Sequence, residues 1–371
     1  MRFNKELLSK FPVLLMRWNR FQNTRQMPWK GEKDPYKIWL SEIILQQTRV
    51  EQGLKYYEKF VSAFPDIHKL AAAKDDKIYK LWEGLGYYTR CRNLIDTARF
   101  ISTKLNGKFP STFDDILALK GVGHYTSSAI ASFAYNLPYA VVDGNVFRVL
   151  SRVFGIKKPI DSPEGKKLFT RLAVELLDKK KPGIYNQALM DFGAVVCKPL
   201  APLCSNCILN DHCFAFKNNL VHELPFKDKK LRIKKRWFNY LIIEYQNKIY
   251  IRQRIDNDIW RSLYEFCMIE TSAETSVTQI LGRAEKLNLL KKNSYNVLSV
   301  SPILSQQLSH QKIMARFIRV GLTKETSIPG YKPVSSNRLS QYAFPRIINA
   351  WREGVIPLQD SKNFIFTDKK N

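Results

Sequence analysis

Along the first 220 residues, apolar positions recur three and four apart, broken by short stretches containing Gly, Pro or Asp. That period belongs to helices with a buried stripe. It predicts them over 50–63, 75–83, 89–105, 112–120, 125–136, 145–154, 164–179 and 184–194. Asp34-Pro35 predicts a further helix start, an acid at the cap followed by proline in the first helical position. Within the YKIWLSEIILQQTRV that follows, Ile38, Trp39, Ile43 and Leu45 or Gln46 fall at the spacing of a partly buried helix. No strand alternation interrupts this half. From Trp237 the period changes to two. FNYLIIEY and NKIYIRQR, separated at Gln246-Asn247, predict a β-hairpin. IWRSLYEFCMIE predicts a third strand, RAEKLNLLKK a helix and QKIMARFIRVGL a later strand. The expected organisation is an all-α region over 1–224, a linker at 225–236 and a mixed α+β region over 237–371. The linker, PFKDKKLRIKKR, begins with proline and carries seven basic residues against one acid.

A chain of 371 residues is long enough for two domains. Charge changes the picture more than length does. Sixty Lys and Arg stand against 33 Asp and Glu, a formal +27. Such an excess draws polyanions from a distance, and nucleic acid is the leading partner. A membrane surface fits less well, because the basic residues are dispersed among aromatics and no apolar run approaches a membrane span. The first twenty residues lack a continuous apolar core and a small-residue cleavage site, so no secretory signal is expected. The expected compartment is a reducing cytoplasm. There six cysteines need a reason other than disulfides. Cys91 and Cys267 read as small packing residues. Cys197, Cys204, Cys207 and Cys213 are spaced C-x6-C-x2-C-x5-C. Zinc usually takes two C-x2-C knuckles set further apart, whereas a compact loop like this one suits an iron–sulfur cubane. With no flavin or nicotinamide signature nearby, either centre would fix a loop rather than carry electrons.

Two further patterns bear chemistry. LALKGVGHYTSSAIASFAY joins two helical segments through Gly121-Val122-Gly123, a helix-hairpin-helix pattern spanning about 112–136. Unpaired N–H groups at the start of its second helix suit a phosphate and need no base sequence. A plain αα-turn has the same letters, and the net charge is what favours DNA. Glu42 lies on the helix begun at Asp34, and Asp143 precedes Gly144-Asn145 at another helix start. Alone, the first reads as a solvated glutamate and the second as a cap.

WLSEIILQQT, LWEGLGYYTRCRNL, LKGVGHYT, VVDGNVFRVLSRVFG, NQALMDFGAVVC and the cysteine loop follow in one order and at one spacing. Together they resemble the adenine DNA glycosylases of the MutY type, within the helix-hairpin-helix superfamily that includes endonuclease III. The resemblance spans nearly the whole chain and is closest through about residue 215. It implies a monomer that binds double-stranded DNA and removes adenine opposite 8-oxoguanine or guanine. It implies a [4Fe–4S] cluster on Cys197, Cys204, Cys207 and Cys213. Glu42 matches the family's proton donor, and Asp143 the carboxylate facing the sugar cation. Asn145 and Tyr125 match residues lining the sugar. Bifunctional relatives carry a lysine where Tyr125 stands, and a phenol cannot form their imine. The resemblance places Gln47 and Tyr87 as a wedge by the partner base, and Trp29 and Lys30 in the adenine pocket. Gln187 stands where relatives often carry an acid.

Residues 241–266 resemble a Nudix-like domain without the G-x5-E and R-E-x-x-E-E elements that hold magnesium, so recognition without hydrolysis is implied. The family's aromatic-Ser-His tripeptide is matched by Leu308-Ser309-His310, with the aromatic lost. Three other functions compete. An endonuclease III-like glycosylase and lyase conflicts with Tyr125. A catalytically silent iron–sulfur DNA sensor conflicts with Glu42 and Asp143 at the family positions. An iron–sulfur oxidoreductase lacks a cofactor motif.

Overall fold

Asp34 accepts a hydrogen bond from the Tyr36 N–H at 2.9 Å, and Pro35 opens a helix that ends at Leu45. The helix is buried nearly all round, through Ile38, Trp39, Leu40, Ser41, Glu42, Ile43 and Ile44. The expected partly buried stripe is therefore corrected: this helix is central, with neighbours on every side. The computed structural model describes residues 3–228, 233–354 and 359–360. Linker positions 229–232, and 355–358 and 361–371 of the second region, lie outside the described residues.

Two units emerge, one formed by Met1–Ala72 with Arg92–Lys230 and the other by Ala73–Cys91 with Leu231–Asn371. The helices in chain order are α1 (Lys5–Phe21), α2 (Pro35–Leu45), α3 (Val50–Ala63), α4 (Ile67–Ala72), α5 (Asp75–Trp82), α6 (Tyr88–Lys104), α7 (Phe113–Leu117), α8 (His124–Tyr135), α9 (Gly144–Phe154), α10 (Pro163–Leu176), α11 (Pro182–Val195) and α12 (Phe214–Lys217). Helices α1 and α4 have no counterpart in the sequence reading. The segment expected over 112–120 holds only the five residues of α7 before the chain turns toward Gly121. In the first unit α1, α9, α10 and α11 share a core that includes Phe11, Leu150, Phe169, Leu189 and Phe192.

Helix α5 falls in the second unit, which interrupts the expected 1–224 region. Polar contacts tie it there. Glu83 at its end accepts from the Phe344 N–H and from Asn349 Nδ2, both at 2.8 Å, and Lys80 Nζ donates to the Tyr342 carbonyl.

The second unit is built on β1 (Lys234–Tyr245), β2 (Lys248–Gln253), β3 (Tyr264–Glu265), β4 (Cys267–Thr271), α13 (Val277–Lys286), β5 (Tyr295–Val300), β6 (Leu304–Gln307), β7 (Gln311–Leu322), β8 (Lys332–Ser335), α14 (Arg346–Arg352) and β9 (Gln359–Asp360). The sheet order is β3-β2-β1-β7-β5-β9, with β4 beside β1, β6 beside β7 and β8 beside β2. Only β1 and β7 among these pairs run parallel. Alternate residues of β1 serve two cores, as a period of two requires. Leu241 and Ile243 pack with Ile280 and Ala284 of α13. Tyr240 belongs to an aromatic layer with Phe317, which stacks on Trp351 of α14.

The hairpin expected at Gln246-Asn247 is present, pairing Tyr245 with Lys248 and turning through Gln246 at φ +51°. Three other expectations are corrected. Strand β1 begins at Lys234, so the last three linker residues are sheet, and Arg236 is held by Asp258 and Glu270. The IWRSLYEFCMIE strand is limited to β3 and β4, because Trp260 and Ser262 adopt left-handed φ of +61° and +75°. The RAEKLNLLKK helix lies earlier, at Val277–Lys286. Ser276 and Gln279 form a capping box there, and the chain leaves through left-handed Asn288.

Candidate active site

Helix α2 delivers Glu42 from its last turn into the interior, where it is 6% exposed. Two groups meet it there. The Tyr125 hydroxyl, from the first turn of α8, hydrogen-bonds its carboxyl, and Asp143 is near enough for its charge to act on it. Burial pushes the Glu42 carboxyl up. The Tyr125 hydrogen bond works against this and the Asp143 charge with it, and the outcome is a pKa of about 7. Burial also raises the Tyr125 phenol, helped by both carboxylates, so it stays a neutral donor.

Asp143 does cap α9: its Oδ1 accepts from the Val146 N–H at 2.7 Å. Its other oxygen takes a hydrogen bond from Asn145 Nδ2, also at 2.7 Å. Burial raises its pKa, while the bonds from Val146 and Asn145 and the Arg148 charge resist. Asn145 is itself placed from behind. Its Oδ1 accepts from Arg148 Nη2 at 2.7 Å, and the same nitrogen donates to the Gly193 carbonyl. A Cβ on Gly193 would come within 2.7 Å of the Asn145 Cβ, so glycine lets α11 close against the start of α9. Arg148 also donates through Nε to the Cys197 carbonyl at 2.7 Å. Sequence spacing signals neither Arg148 nor Gly193, because an arginine on a basic helix and a glycine near a helix end are ordinary.

A second cluster gathers around Asp191, whose side chain is fully buried. Arg25 Nη1 and Lys30 Nζ each approach it at 3.0 Å, Asn23 Nδ2 donates at 3.0 Å and Gln187 Nε2 at 2.9 Å. Lys30 is thus no free surface charge, and Gln187, with its nitrogen engaged, turns its oxygen elsewhere. Trp29 is half-buried, edge-on to Tyr57 with centroids 5.2 Å apart.

The Gly121-Val122-Gly123 turn joins α7 to α8. Val122 is buried and both glycines are exposed. Gly121 has φ +78°, and a Cβ there would strike Asn93. No side chain caps α8, so its first N–H groups are left for an anion. Gln47 is exposed just past α2, at φ +56°. In the second unit, Leu308, Ser309 and His310 form the tip between β6 and β7, closed by the Leu308 N–H donating to the Gln311 carbonyl. Ser309 and His310 are exposed, and Ser309 Oγ lies 2.5 Å from the Tyr87 hydroxyl.

The four loop cysteines line one pocket together with Arg152 and Leu203. Arg152 is 3% exposed. Its guanidinium donates to the carbonyls of Lys198, Pro199 and Leu224 and to Cys197 Sγ at 3.4 Å. A buried cation served by neutral carbonyls favours anionic sulfur beside it. The four thiols share one cavity beside that cation, although among the described residues no three of them are gathered as a bound metal would require.

The sequence model of the HhH-GPD superfamily base excision DNA repair proteins matches residues 40–174, and that of the NUDIX domain residues 239–351. The chain is 36% identical over 292 residues to the adenine DNA glycosylase of Buchnera aphidicola subsp. Schizaphis graminum (strain Sg), covering 77% of this chain and 80% of that one. It is 40% identical over 217 residues to the Homo sapiens adenine DNA glycosylase, covering 56% of this chain and 40% of that one. Among solved structures, a thermostable thymine-DNA glycosylase aligns with a TM-score of 0.53 at 28% identity, over 57% of this chain and 98% of that one.

Proposed function

The chain belongs to the adenine DNA glycosylase family, and from that membership we propose that it excises adenine paired with 8-oxoguanine, and less efficiently with guanine, leaving an uncut abasic strand. The observation that carries this reading is Glu42, buried, hydrogen-bonded to Tyr125 and sharing its site with Asp143. The target adenine must first leave the helix, which costs a few kcal/mol. Tyr87 and Gln47 are the wedge, and Trp29, Lys30 and Gln187 line the pocket. As the glycosidic bond stretches, its electron pair passes to the adenine ring, and the Glu42 proton neutralises the charge there. General acid catalysis of this kind contributes about 10²–10⁴-fold. The sugar left behind is cationic at its anomeric carbon. Asp143 stabilises or captures that cation, as the second carboxylate does in retaining glycosidases. Asn145 holds Asp143 toward the sugar, and Tyr125 supports Glu42. Water then adds to the anomeric carbon and gives its proton to the Glu42 carboxylate; with a phenol where an imine-forming lysine would stand, the reaction ends at the abasic site.

Gly121, Val122 and Gly123 present backbone N–H groups to a phosphate of the duplex. Cys197, Cys204, Cys207 and Cys213 would hold a [4Fe–4S] cluster, which when bound supplies a rigid thiolate cross-link of the loop. Ser309 and His310 inspect the partner base. The protein works as a monomer.

A duplex carrying adenine opposite 8-oxoguanine tests the proposal. Breaks that form only after hot alkali are expected. Breaks without alkali would identify a lyase, and a duplex left free of abasic sites would remove the activity altogether.

A further inference from the structure

Between α5 and α6 the chain runs through Glu83-Gly84-Leu85-Gly86-Tyr87, and three of these residues are left-handed: Gly84 at φ +89°, Gly86 at +80° and Tyr87 at +50°. Glycine takes this region freely and tyrosine does not. Tyr87 nevertheless keeps it while its ring is 43% exposed, so neighbouring groups must hold the ring in place. Trp82, wholly buried, donates its indole N–H to the Gly86 carbonyl at 3.0 Å and ties the loop to the end of α5. Arg90, in the first turn of α6, lies over two rings at once, 5.4 Å from the Trp82 centroid and 5.1 Å from that of Tyr87. Its Nη2 also donates toward the Gly86 carbonyl at 3.4 Å. Burial draws its pKa down to about 10, which leaves it cationic at neutral pH.

We infer that Arg90 is the positioning residue for Tyr87: its guanidinium, layered between Trp82 and Tyr87, holds the exposed ring in the outward pose from which it enters the base stack. The inference rests on the wedge role proposed for Tyr87. The ring has a second anchor in Ser309, but Ser309 has its own proposed task at the partner base. A hydroxyl turned to the lesion leaves Tyr87, whereas the hold of Arg90 is independent of the lesion. A planar cation suits this place because it can face two rings and still reach a carbonyl, and an ammonium cannot. Holding the ring in advance saves the ordering that would otherwise oppose its insertion.

The test uses the full chain and a duplex with adenine opposite 8-oxoguanine and 2-aminopurine beside the target. Stopped-flow fluorescence reads the unstacking step, and single-turnover chemistry reads adenine release. Arg90→Met is expected to slow unstacking roughly tenfold, and Arg90→Lys to recover part of the loss. In a Tyr87→Ala background, Arg90→Met should add nothing, because the ring through which it acts is gone. An Arg90→Met protein that unstacks the duplex at the wild-type rate overturns the inference. So does an effect that multiplies with a slow Tyr87→Ala, in which case the wedge assignment survives alone. A Tyr87→Ala protein as fast as wild type removes the wedge assignment and this inference with it. Should Arg90→Met fail to fold, Arg90→Lys carries the comparison: slowing only when Tyr87 is present supports the inference, and equal slowing in both backgrounds overturns it.

Discussion

Burial, moderated by the Tyr125 hydrogen bond and reinforced by Asp143, leaves Glu42 protonated up to about pH 7. A proton donor near that value suits catalysis at neutral pH. The folded state keeps this proton while the unfolded chain, at the ordinary 4.5, has released it. Stability is therefore lost as pH rises from about 4.5 to 7, by about 3 kcal/mol once the window is passed. Glu42→Gln should melt higher than wild type at pH 8 yet release adenine ~10²–10⁴-fold more slowly. In wild type the single-turnover rate should fall as pH passes 7, and a rate still level at pH 9 would exclude Glu42 as the acid. Asp143 allows a sharper separation of roles. An amide can keep the Val146 cap but turns its nitrogen toward the Asn145 amide donor, so Asp143→Asn should fold with a modest drop in melting temperature while adenine release collapses. Retained activity would make it a cap only.

At the scale of elements, the approach of α11 to α9 decides where Asn145 sits. Gly193 has no side chain, its carbonyl receives Arg148, and Arg148 in turn holds Asn145. Gly193→Ala should force the helices apart. We expect adenine release to drop about tenfold or more, by analogy with the loss that small misplacements cause, with duplex binding largely kept. Binding and rate falling together would instead point to general loosening of the unit. Both carboxylates were legible as candidates before folding, from their places in WLSEIILQQT and VVDGNVFRVLSRVFG. Arg148, Gly193 and Asp191 were not, because their importance lies in what they touch. Local signals could also mislead: the capping box at Ser276 outweighed the apolar pattern of RAEKLNLLKK, and Trp260 and Ser262 broke a strand that alternation alone suggested.

For the molecule as a whole, a formal +27 predicts that duplex affinity is strongly salt-dependent. If six or more phosphates are neutralised, affinity should fall about 10³-fold or more between ~50 and ~200 mM salt, measured by anisotropy titration. A flat response would exclude a phosphate-dominated interface. Arg236 is not expected to contribute, since Asp258 and Glu270 hold it within the sheet. Ordered motifs, charge, helical period and cysteine spacing are properties of the chain, and they determined the family, the two textures and the two candidate acids. Folding alone decided that α2 is buried on every side, that α5 joins the second unit and that Lys30 and Gln187 share the carboxylate of Asp191. Those outcomes depend on which distant residues meet and how much water they exclude. Neither quantity is written into the spacing of any one segment.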